Sequence, residues 1–244
     1  MGKARQAASI GGAVMAPWEM GLQAARMRAV LFDFDFTLAD SSAGVVECFA
    51  HGFERVGLPD VEAERVRRTI GLTLDEALRV LHGVEDPIVV RAFFDAFRER
   101  AADVMVANTR FLERAIEAVR ACRNAGLATA ICSTKKRSHI EGVLERDGVA
   151  TLFDAVIGHD DVPAAKPAPD ALHAALARLD VGADRALYVG DHPVDAEAAA
   201  RAGVAFVAVL TGPSRREEFG AHAVHEFLAS IDEVPRALHA LSKR

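Results

Sequence analysis

The sequence predicts an α/β protein, a doubly wound parallel sheet interrupted by an inserted α-helical lobe. Three observations predict it. Short apolar runs recur at Val30-Leu31-Phe32, Leu127 to Cys132 and Ala186 to Val189, each followed by a helix-patterned stretch. Runs of that length between turn signals read as strands buried on both faces. Between the first and second runs, from about Ser42 to Ala107, the pattern is helical. Finally, 244 residues, 51% of them apolar, suffice for one large core and a smaller lobe.

In chain order, strand 28–33 leads into expected helices over 43–56, 61–69, 73–82 and 87–106. Gly57-Leu58-Pro59 and Gly71 break them. Leu74, Ala77, Leu78 and Leu81 share one helical face, and Phe93, Phe94 and Phe97 another. Such stripes form the core of a small bundle. A helix over 111–125 returns the chain to the second strand. Helix 137–147, strand 154–158, helix 169–179, strand 186–190, helix 193–202 and strand 204–209 complete the alternation. The expected division is therefore a core of 27–41 and 108–244 with a helical cap of 42–107.

The richest stretch is Asp33-Phe34-Asp35-Phe36-Thr37, at the end of the first strand. Alternation along a strand would point Asp33 and Asp35 the same way, at the carboxyl end where open α/β sheets place ligands. Two close carboxylates call for a hard divalent cation, most naturally Mg²⁺. A carboxylate beside such a cation can attack phosphorus. The plainer reading, a strand-end Asp capping the next helix, competes for any isolated Asp-x-Asp.

Three further pieces follow in order. Ser133-Thr134-Lys135 ends the second run, Lys166-Pro167-Ala168-Pro169-Asp170 opens a helix, and Gly190-Asp191-His192-Pro193-Val194-Asp195 follows the third run. Each places a hydroxyl, an ammonium or a carboxylate pair at a strand end or helix start. Lysine is otherwise scarce, with only Lys3, Lys135, Lys136, Lys166 and Lys243 in the chain. The ordered set resembles the haloacid-dehalogenase-like hydrolase superfamily, whose signature is Asp-x-Asp-x-Thr, a Ser/Thr after a strand, a Lys, and Gly-Asp-x-x-x-Asp. The resemblance covers about residues 27 to 240. Within that superfamily the chain is most similar to the phosphoglycolate phosphatase subgroup, which shares Lys-Pro-x-Pro-Asp and a helical cap.

The resemblance implies a Rossmann-like core, an Mg²⁺-dependent phosphatase and an aspartyl-phosphate intermediate. Asp33 would be the nucleophile and a metal ligand. Asp35 would be the general acid and then the base, its main-chain carbonyl touching the metal; alternating these roles requires a proton affinity near working pH. Ser133, with Thr134 competing, would bind a phosphoryl oxygen. Lys166 would neutralise the phosphoryl charge. Asp191 would be the second side-chain metal ligand, braced by Asp195, which could also serve as an N-terminal charge on helix 193–202. Thr37 belongs to the same motif, and Gly190 lets the backbone come close.

Two departures stand out. Phe36 replaces the usual Gly of Asp-x-Asp-Gly-Thr. A bulky residue is poorly suited to positive φ, so the turn is expected to keep ordinary angles, with Phe36 projecting toward the cap and narrowing the leaving-group space. His192-Pro193 stands where Ser is frequent, and His192 is expected to be an exposed loop residue. A cap Arg such as Arg68, near Ile70-Gly71, could pair a substrate carboxylate.

A net charge of −6 without a basic stripe argues against a nucleic-acid partner. Cys48, Cys122 and Cys132 show neither metal-ligand nor disulfide spacing, which suits the cytoplasm. Cys132 reads as a small buried residue rather than a nucleophile. No run is long enough to span a bilayer, and the expected state is a monomer or homodimer acting on a small phosphate ester. Residues 1–26 read as a disordered leader, with Met27 an alternative start. A sugar phosphomutase shares all four motifs and is the runner-up. A receiver domain lacks the cap-sized insertion, and a dehalogenase would not need Asp35 or the metal. A phosphonatase is disfavoured, since Schiff-base chemistry needs a cap amine and residues 42–114 contain ten Arg but no Lys.

Overall fold

A computed structural model describes residues 27–241, with side chains to Leu238; the expected leader, 1–26, lies outside these residues. Six parallel strands form the sheet: β1 (Ala29–Phe32), β4 (Ala128–Cys132), β5 (Ala155–Ile157), β6 (Ala186–Gly190), β7 (Ala205–Val209) and β8 (Glu226–Leu228). Their order is β5-β4-β1-β6-β7-β8. Phe32 pairs with Ile131 on one side and Val189 on the other, so Asp33, Ser133 and Asp191 emerge from adjacent strand ends. Strand alternation splits the core. Val30 and Phe32 join a cluster with α5 (Ala115–Asn124), α6 (Arg137–Arg146) and α9 (Val234–Leu241). Ala29 and Leu31 face α7 (Asp170–Leu179) and α8 (Pro193–Ala202) in the opposite layer.

The helical lobe contains α1 (Ser42–Val56), α2 (Ala63–Arg67), α3 (Leu74–His82) and α4 (Pro87–Val104). Local chemistry sets these ends. Thr73 and Glu76 form a capping box on α3, while Asp86 accepts from the Ile88 amide at 2.8 Å with Pro87 at the first helical position. A Phe cluster holds α1 to α4: Phe49 lies 5.4 Å from both Phe93 and Phe97, and Phe53 5.5 Å from Phe93, between ring centroids.

Two expectations about elements need correction. Residues 111–125 are not one helix, because Arg110–Phe111 forms β3, antiparallel to β2 (Ala39–Asp40), and α5 starts only at Ala115. The Leu112 amide donates to the Leu38 carbonyl at 2.9 Å, so this segment satisfies its backbone across the ribbon and not within a helix. β8 and α9 lie beyond the last predicted strand. Their two-turn helix and three-residue strand are too short to give a clear period. The lobe leaves and rejoins the core through the β2/β3 ribbon. Among the described residues, no helix is long and apolar enough to cross a membrane.

Candidate active site

The loop after β1 is tightly wound. The amides of Leu38 and Ala39 both donate to the Phe34 carbonyl at 2.9 Å, and the Phe36 amide donates to the Ala39 carbonyl at 2.7 Å. Phe36 sits at the turn with φ 56°, in the left-handed region, contrary to the ordinary angles expected from its bulk. Its buried ring packs into the lobe's core, as the expected direction toward the cap requires, and burial of a whole ring outweighs the backbone cost. The Arg67 guanidinium lies 5.0 Å from the ring centroid and reaches the Ser42 hydroxyl.

This turn separates the two carboxylates instead of aligning them on one strand face. Asp33 Oδ1 lies 2.9 Å from Lys166 Nζ, but the contact lacks the angle of a true hydrogen bond. Asp35 turns to Lys135, with Oδ2 2.9 Å from Nζ, and Oδ1 accepts from Ser41 Oγ at 2.5 Å. Lys135 is the functional candidate that sequence reasoning missed. It stands inside Ser133-Thr134-Lys135, and the scarcity of lysine in a chain rich in Arg is the signal available for it.

Carboxylate oxygens of Asp33, Asp191 and Asp195 all lie within 4.8 Å of one another. The Asp35 carboxylate is not a member of that group. Asp191 lies where a Cβ on Gly212 would come within 1.9 Å of its Oδ2, so only glycine fits opposite it. Thr37 Oγ1 donates to Asp191 Oδ1 at 3.4 Å. Asp195 Oδ1 accepts from Lys166 Nζ at 2.5 Å, while its Oδ2 accepts from the His192 amide at 3.0 Å. Asp195 thus contacts Lys166 and also lies in the first turn of α8. A Cβ on Gly190 would come within 2.5 Å of Asp195 Oδ2, which explains the glycine there. Tyr188 supports the assembly from beneath, its hydroxyl 3.0 Å from Lys166 Nζ and from the Cys132 carbonyl.

Burial pushes the Asp33 carboxyl up to about 6 against the pull of Lys166. Burial, with Asp195 and Asp33 close by, pushes Asp191 well above the carboxylate range. For Lys166 burial alone would favour the neutral amine, but Asp195 and Asp33 outweigh it and raise its affinity for the proton. Four carboxylates, Asp33, Asp35, Asp191 and Asp195, face two ammonium groups, Lys135 and Lys166, leaving a formal charge of −2. A hard oxygen donor set with that residual charge fits a divalent cation such as Mg²⁺.

The remaining expectations divide. Ser133 is buried beside the cluster, its Oγ accepting from the Lys135 amide at 3.3 Å. Thr134 turns the other way, its hydroxyl donating to the Gly71 carbonyl of the lobe at 3.3 Å. His192 is not an exposed loop residue. It is half-buried, its Nδ1 caps α8 by accepting from the Val194 amide at 3.2 Å, and its ring lies beside Gly71, whose φ of 108° suits glycine. Burial lowers its proton affinity. Arg68 lies 3.8 Å from Glu64 and 3.9 Å from Glu218, whereas Arg67 covers Phe36. Cys132 is fully buried, and burial pushes its thiol up, as expected of an inert residue. An open cleft of about 400 Å³, lined by residues including Glu47, His51 and Arg100, contains none of the clustered carboxylates.

Comparisons with known proteins agree with this geometry. The family model for haloacid dehalogenase-like hydrolases matches residues 30–209. IndB of Dickeya dadantii, named a probable phosphatase, is 30% identical over 219 residues, covering 88% of this chain and 94% of that protein. A phosphoglycolate phosphatase of Caulobacter vibrioides is 31% identical over 221 residues, covering 85% and 89%. A Bacteroides fragilis structure assigned to the haloacid dehalogenase-like hydrolases superimposes with a TM-score of 0.83 at 35% identity, covering 86% of this chain and 100% of that one. The chain belongs to the haloacid dehalogenase-like hydrolases and is an enzyme of their phosphatase kind.

Proposed function

We propose that the protein hydrolyses a small phosphomonoester, with Asp33 as nucleophile and Mg²⁺ as cofactor. The observation that carries this reading is the placement of Asp33 between an ammonium, Lys166, and the carboxylates of Asp191 and Asp195. Asp33, Asp191 and the main-chain carbonyl of Asp35 would hold the cation, with Asp195 behind them. The bound cation would supply positive charge to the phosphoryl oxygens and draw Asp33 into its ionised, attacking form. Asp33 then attacks phosphorus, the bond to the leaving oxygen breaks, and Asp35 delivers a proton to that oxygen. Deprotonated Asp35 next takes a proton from water as it attacks the aspartyl-phosphate, releasing inorganic phosphate and restoring Asp33. Lys166 and the Ser133 hydroxyl hold the transferring group.

Residues 42–107 act as a cap that keeps bulk water from this site. Closure over the strand ends favours small esters, and phosphoglycolate is the first candidate. Arg67, lying over Phe36, and Arg68, beside Glu218, are the lobe cations that could meet a substrate anion. Phosphate release from a panel of small esters tests the reading, with Mg²⁺ and after its chelation. The expected result is metal-dependent release of free phosphate, best from a small carboxylated or hydroxylated ester. An isomerised sugar phosphate without free phosphate would instead identify a phosphomutase.

A further inference from the structure

Lys135 is buried in the loop after β4, and its ion pair is separate from that of Lys166. Its Nζ is 2.9 Å from Asp35 Oδ2, donates to Ser41 Oγ at 3.0 Å and lies 3.5 Å from Met105 Sδ. Ser41 Oγ in turn donates to Asp35 Oδ1. One carboxylate oxygen is held by Lys135 itself, and the other by a hydroxyl that Lys135 also grips. Ser41 is the residue between β2 and α1, and Met105 is the first after α4. Lys135 therefore touches the chain where it enters the lobe and where it leaves. An ammonium buried this deeply is retained only against a partner in good geometry, and here the partner is the proposed proton carrier.

We propose that Lys135 is a positioning residue that couples the orientation of the Asp35 carboxylate to the seating of the helical lobe. This rests on the assignment of Asp35 as acid and base made above. When either linker shifts, Ser41 or Met105 moves with it, and the clamp on Asp35 opens. The Asp35 carboxylate is thereby aimed at the reacting group only in the state in which the lobe covers the site. Lys135 differs in this from Lys166, which binds Asp33 and Asp195 and contacts neither linker.

Leaving-group dependence tests the proposal, because an alcohol needs a proton to leave and p-nitrophenolate does not. In Lys135→Met, phosphoryl transfer in single turnover from the best alkyl phosphate should fall about 100-fold, and from p-nitrophenyl phosphate less than about threefold, with the dissociation constant of the substrate little changed. The aryl substrate should then show a burst of nitrophenol, since water attack on the aspartyl-phosphate still needs an oriented Asp35. Ser41→Ala removes a hydroxyl that does not cap α1 and should show the same split at about tenfold. Equal losses on both substrates would assign Lys135 to the phosphoryl group or to folding, and no split in either variant would overturn the proposal. Asp33→Asn, measured in parallel, should abolish the burst; full turnover in that variant would refute the covalent reading instead.

Discussion

The sheet and the helical lobe are built from different materials. One side of the sheet is packed with small residues, including Ala171, Ala175, Ala196, Ala198, Ala199 and Ala202, against strand residues such as Leu31, Ala130, Tyr188 and Phe206. The lobe is held by Phe36, Phe49, Phe53, Phe93 and Phe97. Small side chains let α7 and α8 lie close to the sheet and fix the place at which the carboxylates of Asp33, Asp191 and Asp195 converge. The aromatic lobe buries more area per residue and needs few positions to do so. Phe36 joins the two, with its backbone in the catalytic turn and its ring in the lobe. The sheet end therefore carries buried charge that opposes folding, and the lobe carries apolar area that favours it.

That contrast predicts where activity and stability part company. Asp33→Asn should lower turnover at least about 10⁴-fold. It should also leave the melting temperature unchanged or higher, because a buried carboxyl that resists ionisation is removed. A fall in stability matching the fall in activity would break the contrast. Phe93→Ala, in the lobe, should cost about 3–5 kcal/mol by denaturant unfolding, since the ring is fully buried. Below its melting temperature it should still release phosphate from p-nitrophenyl phosphate. A cost under about 1 kcal/mol would mean that the lobe's rings are not its main support.

Metal binding and the titration of Asp33 both act on the sheet end. Without a divalent cation, Asp33 titrates at about 6 in the fold against an ordinary value near 3.8. The folded state then binds the extra proton, so this group's contribution to stability falls as pH rises from about 4 through about 6. Mg²⁺ competes with that proton. Saturating Mg²⁺ should stabilise the protein by about 2–3 kcal/mol at pH 7.5, and by less at pH 5, in thermal unfolding followed with and without chelator. An equal gain at both values would contradict a cation held by Asp33. The smallest effect concerns the joint. Phe36→Gly relieves about 1 kcal/mol of left-handed strain but loses a buried ring worth more, for a net cost of about 2 kcal/mol in chemical denaturation. A stabilised variant would show that the ring does not tie turn to lobe.

What the sequence disclosed follows the same division. Asp33, Lys166, Asp191 and Asp195 were legible because strand ends and helix starts fix their position, and phosphate chemistry restricts the residue types. The four lobe helices were legible from periodicity and from the breaks at Gly57-Leu58-Pro59 and Gly71. The β2/β3 ribbon was not, because two-residue strands have no period and Phe111 equally suits a helix. Phe36 was misjudged in its backbone, since propensity disfavours what a tertiary contact enforces. His192 was misjudged because a cap made by an imidazole nitrogen leaves no mark in composition. Lys135 was overlooked because its partners, Asp35, Ser41 and Met105, come together only through folding.

The central claim is that Asp33 accepts the phosphoryl group. The most direct measurement is acid quenching of Asp35→Asn after mixing with p-nitrophenyl phosphate and Mg²⁺, followed by mass spectrometry of the peptides. One added phosphoryl group is expected on the peptide containing Asp33, labile to hydroxylamine and absent in Asp33→Asn. An unmodified Asp33 peptide during nitrophenol release, or a phosphoryl group on another residue, would contradict it.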